Sequence, residues 1–404
     1  MINGVRFLSR VPSKASFASK QVKGKFTKPS IKSIDKSTQT NQTRAPFGFG
    51  EFSKLRTITN DEVKKSAAPK TITSFDDLML FPSVRDAMVQ EIRSEYCLRN
   101  PNIASKNDLK IVPTAVQTSA IRTLATSRLF QVKKQEQKVR EGKISPDDYV
   151  KPDPEAISHL QNKLKIFTIA AETGSGKTWA YLGPLLSKLK QEELEAYRES
   201  PENYEKFKNR AGARSVVLLP TSELVDQVYK TLSSVNGMQL GDFLNPKLKR
   251  DEATRNFFEL SEQNLSLNMK FFKWSQGEKH FDLFDTLKAP GGIDVLVTTP
   301  GKLETISKIR SIGDPWKYLN NVETIVFDEA DTLLEPSWLG LSITCMEKIS
   351  NVKDIIFVSA TIPKRFSKTL KDSFPVKNDI ISVVTNRIHK IPKKIAVRIV
   401  DAQH

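Results

Sequence analysis

Four residues of this chain have the types and spacing to do chemistry on a phosphate. Lys177 and Thr178 close the run Ala171-Glu172-Thr173-Gly174-Ser175-Gly176, and far downstream Asp328 and Glu329 stand side by side. A lysine behind a glycine-rich turn offers a cation to the β- and γ-phosphates of a nucleoside triphosphate, and the neighbouring hydroxyl can ligate Mg²⁺. Gly174 and Gly176 lack a Cβ, so the backbone can curl and aim several N–H groups at one point. Hydrolysis also needs a carboxylate to help hold the metal, a role given to Asp328. It needs a second group to orient or deprotonate the attacking water, given to Glu329. Alone, a glycine turn is a turn and a strand-end acid pair is a solvated corner. Their pairing in one chain favours the chemical reading.

The elements that must position these groups are legible around them. Lys165–Ile169 is a short apolar, β-rich run, and Tyr181, Leu182, Leu185, Leu186 and Leu189 recur at helical spacing through Ala180–Lys190. Strand, glycine loop and helix is the context in which such a loop cradles phosphates at a helix N-terminus. Four more buried-strand candidates follow, at Ser215–Leu219, Ile293–Thr298, Glu323–Phe327 and Asp354–Val358. Directly behind them stand Pro220-Thr221-Ser222-Glu223-Leu224, Thr299-Pro300-Gly301-Lys302, Asp328-Glu329-Ala330-Asp331 and Ser359-Ala360-Thr361. Strands apolar on both faces and alternating with helices predict an α/β fold, a parallel sheet covered on both sides. Ligands bind such sheets at the carboxyl ends of the strands, where every one of these motifs falls.

Upstream, Ser74-Phe75-Asp76-Asp77 reads as a helix cap leading into Leu78–Glu91, and a helix carrying Ile121 and Leu124 follows Pro113–Gln117. Three charged or irregular stretches, near 131–154, 191–213 and 236–276, read as insertions.

The composition fits a chain of 404 residues with mean hydropathy −0.38 and no run long enough to span a bilayer, so no membrane is expected. Cys97 and Cys345 are far apart and the four histidines are scattered, which argues against a disulfide framework or a zinc site. Net charge is +17, and residues 1–50 hold ten Lys or Arg against a single acid, Asp35. The excess that persists beyond them favours a polyanionic partner, nucleic acid first. Residues 1–34 contain no acid and eight Lys or Arg, the composition of a mitochondrial transit segment; the competing reading is a basic arm that touches RNA. Residues 35–70, with Ala45-Pro46-Phe47-Gly48-Phe49-Gly50, read as a disordered linker.

AAETGSGKT, PTSEL, TTPGK, DEAD and SAT, in that order from Ala171 to Thr361, resemble the first RecA-like domain of a DEAD-box RNA helicase. The resemblance covers roughly residues 75–385 and is similar in character to fungal mitochondrial members. It implies a RecA-like P-loop fold over residues 71–385, with ATP and Mg²⁺ as cofactors and RNA as partner, and no DNA expected. On this resemblance Ala171–Thr178 binds the ATP phosphates, with Thr178 and Asp328 on Mg²⁺ and Lys177, Asp328 and Glu329 catalytic. Pro113-Thr114-Ala115-Val116-Gln117 is similar to the adenine-reading motif, Gln117 pairing with the base edge and Phe75 stacking on it. Asp331 would hydrogen-bond Ser359 and Thr361 and couple nucleotide state to the RNA face. Pro220, Thr221, Glu223, Thr299, Pro300, Gly301 and Lys302 would contact RNA phosphates.

The chain also departs from the family pattern. Ser222 and Lys302 stand where Arg is usual, Lys110 stands where an aromatic is frequent, and Gln117 to Lys177 is longer than habit. Lys393–Val400 resembles the linker and opening strand of a second RecA-like domain, so residues 386–404 are read as that domain only begun, with truncation at His404. Without the arginines of that domain, weak ATP turnover by this chain alone is expected. The functional expectation is a mitochondrial matrix helicase that remodels short structured RNA, with ribosomal RNA in precursors of the large ribosomal subunit as client. The alternatives are an ATP-dependent RNA clamp whose turnover is dispensable, and a P-loop ATPase acting on DNA or protein.

Overall fold

The computed structural model describes residues 56–59, 72–99, 109–126, 128–145, 149, 152–236, 267–309, 314–361, 364–373 and 379–384. Eight strands lie in one sheet: β1 Arg56–Thr59, β2 Lys165–Ala170, β3 Ala213–Leu218, β4 Phe271–Trp274, β5 Ile293–Thr298, β6 Thr324–Phe327, β7 Asp354–Ser359 and β8 Asp379–Val384. Their order is β1-β8-β2-β7-β6-β3-β5-β4, and every neighbouring pair is parallel. Parallel neighbours need crossovers, and helices supply them. In chain order these are α1 Pro82–Arg99, α2 Ala115–Leu124, α3 Phe130–Arg140, α4 Pro154–Asn162, α5 Lys177–Glu199 and α6 Pro201–Asn209. After them come α7 Ser222–Asn236, α8 His280–Lys288, α9 Pro300–Glu304, α10 Ala330–Leu333, α11 Pro336–Lys348 and α12 Lys364–Ser373.

The period-two alternation of the strands divides the core. Phe167, Ile169, Val217, Val297, Val326 and Val358 face one apolar cluster, with α1, α2, α5 and α7 packed on it. Ile166, Val216, Leu296, Ile325, Phe327 and Phe357 face the other, under α8, α11 and α12. Both faces are covered, as the sequence predicts, because strands without a polar face cannot leave one side wet.

Register brings the strand ends to a common edge. Ala170 pairs with Ser359, Phe327 with Phe357 and Leu218, and Leu218 with Thr298. The peptide links continue past the ladder, with Ala171 N–H donating to the Ser359 carbonyl at 3.2 Å and Leu219 N–H to that of Thr298 at 3.0 Å. The five motif loops therefore leave the sheet side by side.

Several expectations need correction. Arg56–Thr59, inside the stretch read as linker, is a strand paired with β8, in keeping with its β-branched Thr57-Ile58-Thr59. β4 lies inside the stretch near 236–276 read as an insertion, and β8 extends the five expected strands. The stretch near 191–213 is helical: α5 runs on to Glu199 and Ser200 caps α6, accepting a bond from Asn203 N–H. Ser74 caps only a 3-10 turn at Phe75–Asp77, and the helix proper starts at Pro82. The expected transit segment, the remainder of the linker, residues 237–266 and residues 386–404 lie outside the described residues.

Candidate nucleotide site at the carboxyl edge of the sheet

β2 ends in Ala170, and the loop behind it turns back through Gly174 and Gly176, at φ +75° and +86°. Gly176 has a second reason to lack a side chain, since a Cβ there would lie 2.5 Å from Nε2 of Gln117. Lys177 opens α5 with its ammonium buried against the loop, donating to the carbonyls of Ala171 at 3.1 Å and Glu172 at 3.3 Å. Thr178 is half-buried beside it, and Thr173 and Gly174 are exposed.

Asp328, at the end of β6, is 6% exposed and accepts from the Tyr181 hydroxyl at 2.9 Å and from Glu329 N–H at 3.0 Å. Tyr181 lies four residues after Lys177 on α5, so this bond fixes the acid one helical turn from the loop lysine. Burial pushes the Asp328 carboxyl above its usual range, against the opposing pull of these donors and of Lys177. Glu329 is raised as well, first by burial and then by the charges of Asp328 and Asp331. Its backbone is left-handed, φ 51° and ψ 49°, a conformation that strains a residue with a Cβ and recurs at functional sites. Asp331 accepts from the Thr361 hydroxyl, while Ser359 donates to the Thr361 carbonyl at 2.6 Å and accepts from its N–H at 3.1 Å. Asp331, Ser359 and Thr361 thus form one connected set across β6 and β7.

The loop suits a triphosphate. A Cβ at Gly174 would meet nothing within 4 Å, leaving that face open, and the buried Ser175 Oγ has no hydrogen-bond partner. Among the described residues no three His, Cys, Asp or Glu side chains gather to hold a metal. Mg²⁺ is commonly held by one or two protein oxygens with phosphate and water completing the shell. Thr178 and Asp328 are the two oxygen donors expected for that role, Thr178 half-buried and Asp328 buried.

Gln117 and Phe75 are both buried. Gln117 is 4% exposed; its carbonyl oxygen accepts from Thr114 N–H at 2.9 Å and its amide donates to the Gly176 carbonyl at 3.3 Å. With Thr114 it forms a capping box on α2, and the Thr114 hydroxyl also donates to the Ser175 carbonyl at 2.7 Å. The motif therefore grips the phosphate loop, and a base edge would compete for an amide already engaged. Phe75 is 3% exposed within the apolar cluster, which leaves no ring face for stacking in this arrangement.

Of the remaining predicted residues, Pro220 and Pro300 are buried, Thr221 is exposed and Gly301 is half-buried. Thr299 caps α9 by accepting from Lys302 N–H at 3.1 Å. The Lys302 ammonium turns away to the Glu278 carbonyl at 3.3 Å and lies 5.3 Å from the centre of the Trp274 ring. The exposed Glu223 carboxyl is held below its usual range by its own backbone N–H and then by the Thr221 side chain. A carboxylate so fixed repels phosphate, which narrows the contact surface of that loop to Thr221 and the backbone. Sequence reasoning missed Tyr181, which looked like one more apolar helix position. It also missed the brace from Thr114 to the loop, although T-x-x-Q ahead of an apolar run signals a capping box.

The strands, the lysine loop and the paired acids define the class: the chain belongs to the DEAD/DEAH box helicase family, whose profile matches residues 152–369. It is 43% identical over 370 residues to the mitochondrial ATP-dependent RNA helicase MRH4 of Scheffersomyces stipitis, covering 90% of this chain and 62% of that protein. To the protein of the same name from Debaryomyces hansenii it is 44% identical over 360 residues, covering 88% and 60%. The chain spans about three fifths of the length of these curated relatives. Among solved structures, the DEAD-box helicase Mss116 bound to ssRNA and UDP-BeF aligns with TM-score 0.44 and 14% identity, over 81% of this chain and 47% of that one.

Proposed function

We propose that the protein is a mitochondrial ATP-dependent RNA helicase that hydrolyses ATP to remodel short structured RNA, with ribosomal RNA of the assembling large subunit in the matrix as client. The observation that carries this reading is the set of contacts at one strand end: Asp328 against the lysine-loop helix through Tyr181, and Asp331, three residues on, against Thr361. Family membership and the names of the relatives support it.

In this reading Lys177 exchanges the carbonyls of Ala171 and Glu172 for phosphate oxygens, and Ser175 Oγ and the loop amides complete the cradle. Bound ATP supplies a phosphoanhydride bond, with Mg²⁺ offsetting its charge. Thr178 and Asp328 would hold the metal. The raised carboxyl of Glu329 orients the attacking water and takes a proton from it, since a base with pKa nearer neutrality does this best. The Asp331–Thr361 contact ties the site to β7, so nucleotide state and the RNA-side loops bias one another through their differential affinities. Thr221, Thr299 and the amides around Pro220 and Gly301 are suited to RNA backbone contacts, which position a strand without reading its sequence. Trans-acting arginines of the kind a second RecA-like domain supplies contribute about 10³–10⁵ in rate.

The test is ATPase activity of the full-length protein with and without structured RNA. Stimulation by RNA, abolished in Lys177→Ala, is expected; equal rates with and without RNA would sink the helicase reading. The RNA clamp remains the second reading because Ser222 takes the place of a usual Arg on the RNA-side loop without touching the nucleotide site. Rescue of a loss-of-function strain by Glu329→Gln would favour it.

A further inference from the structure

Between α8 and α9, next to the Thr299–Lys302 loop, lies a cavity of about 360 Å³ whose lining includes Trp274, Glu278, Lys279, His280, Phe281 and Lys302. The volume falls in the range of small-molecule sites and exceeds what one planar base needs. Its aromatic content is unusual for a surface feature. Phe281 is 58% exposed, and its ring lies 4.1 Å from that of His280, tilted by 39°. An apolar ring left that open beside a second ring offers a stacking platform rather than core packing. Trp274, only 1% exposed, closes the inner wall of the cavity, with the Lys302 ammonium 5.3 Å from its ring centre.

The charges at the rim are biased to the positive. The carboxylate of Glu278 accepts from Ser275 N–H and Oγ at 2.9 and 3.0 Å and pairs with Lys273 at 3.2 Å. The Lys302 ammonium meets a carbonyl and a ring face. Among the described residues neither Lys279 nor Lys302 has a carboxylate partner. A ligand with a flat π-face and a negative backbone answers these features together. Single-stranded nucleic acid is that ligand, because aromatic side chains and lysines bind it by stacking and by charge.

We propose that this cavity is a nucleobase pocket: one base of a bound single strand leaves the backbone track along the Thr299–Lys302 loop and stacks on Phe281. Lys279 and Lys302 neutralise the flanking phosphates. This rests on the RNA reading above and adds to it a contact with a base, where the motif loops offer only backbone contacts. It makes the protein sensitive to whether the strand can present an unpaired base at one fixed distance from the loop.

The test uses the full-length protein and a twelve-residue single-stranded RNA in which one base at a time is removed to leave an abasic sugar. At one position the wild type is expected to lose about tenfold in affinity on base removal, as for loss of a base–aromatic stack. Phe281→Ala should bind the intact strand about tenfold more weakly and lose nothing further at that position, the signature of a shared interaction. Phe281→Trp should restore the wild-type pattern, and ATP binding should be unchanged in both variants. If the wild type binds RNA but no position shows this coupling, the pocket is overturned and the RNA reading stands. If the wild type binds no RNA at all, both fall. Loss of a protein partner by Phe281→Ala, with RNA affinity intact, would assign the surface to protein and likewise overturn the pocket.

Discussion

Asp328 and Glu329 sit at the sheet edge under opposing demands, since their charges serve the reaction and their burial opposes those charges. Both bind protons more tightly in the folded chain than in the unfolded one, so stability falls as pH rises through their raised values. Activity runs the other way, because a protonated Glu329 takes no proton and a protonated Asp328 holds metal poorly. The acid limb of the ATPase profile should therefore lie above the ordinary carboxylate range, and a limb at or below that range would exclude Glu329 as the base. Asp328→Asn removes a buried charge and should raise the melting temperature by about 2–4 °C near neutral pH, for roughly 1 kcal/mol gained. The same change should abolish Mg²⁺-dependent nucleotide binding, measurable by titration calorimetry. Glu329→Gln should lower turnover by about 10²-fold or more while leaving nucleotide affinity near wild type. The sequence exposed these residues because a charged pair closing an apolar run has few structural uses. Tyr181 was passed over for the converse reason: its type suits both a core and a site, and only packing decides.

Among the elements, α9 and α10 are too short to be stable alone, and caps and neighbours hold them. Thr361→Ala removes the hydroxyl that Asp331 accepts from. It should uncouple RNA stimulation from ATP binding, read as a flattened ATPase response to RNA with nucleotide affinity unchanged. A proportionate loss of both would show the contact to be merely structural. At the opposite edge, Gly292 has φ +51° where β5 begins, and a side chain there would run into the backbone of Gly212 at the start of β3. Gly292→Ala should cost more than about 2 kcal/mol in denaturant unfolding, since strain and collision add. The five strands predicted from sequence are those that carry a motif at their ends. β1 and β4 went unseen because Arg56-Thr57-Ile58-Thr59 and the Lys273-interrupted Phe271–Trp274 lack the continuous apolar run that marks the equally short β6. β8, for all its apolar run, has no motif behind it to draw attention.

Over the whole chain, a charge of +17 implies that binding to RNA releases counterions. Affinity should fall at least about tenfold between roughly 50 and 200 mM salt, and a flat response would remove the phosphate backbone from the interface. The fold class was legible because parallel strands buried on both faces leave a distinctive apolar record; the extent of α5 and α6 was not, since a charge-rich stretch gives no sign of being helical. Those helices join β2 to β3 by way of the sheet's amino-terminal border, the side remote from the lysine loop and the acid pair. Growth of the polypeptide along that border adds only a slowly increasing closure entropy and moves no reacting group. The architecture thereby uncouples what lineages can remodel from what the reaction holds fixed, and relatives should differ most in length on the side where nothing reacts.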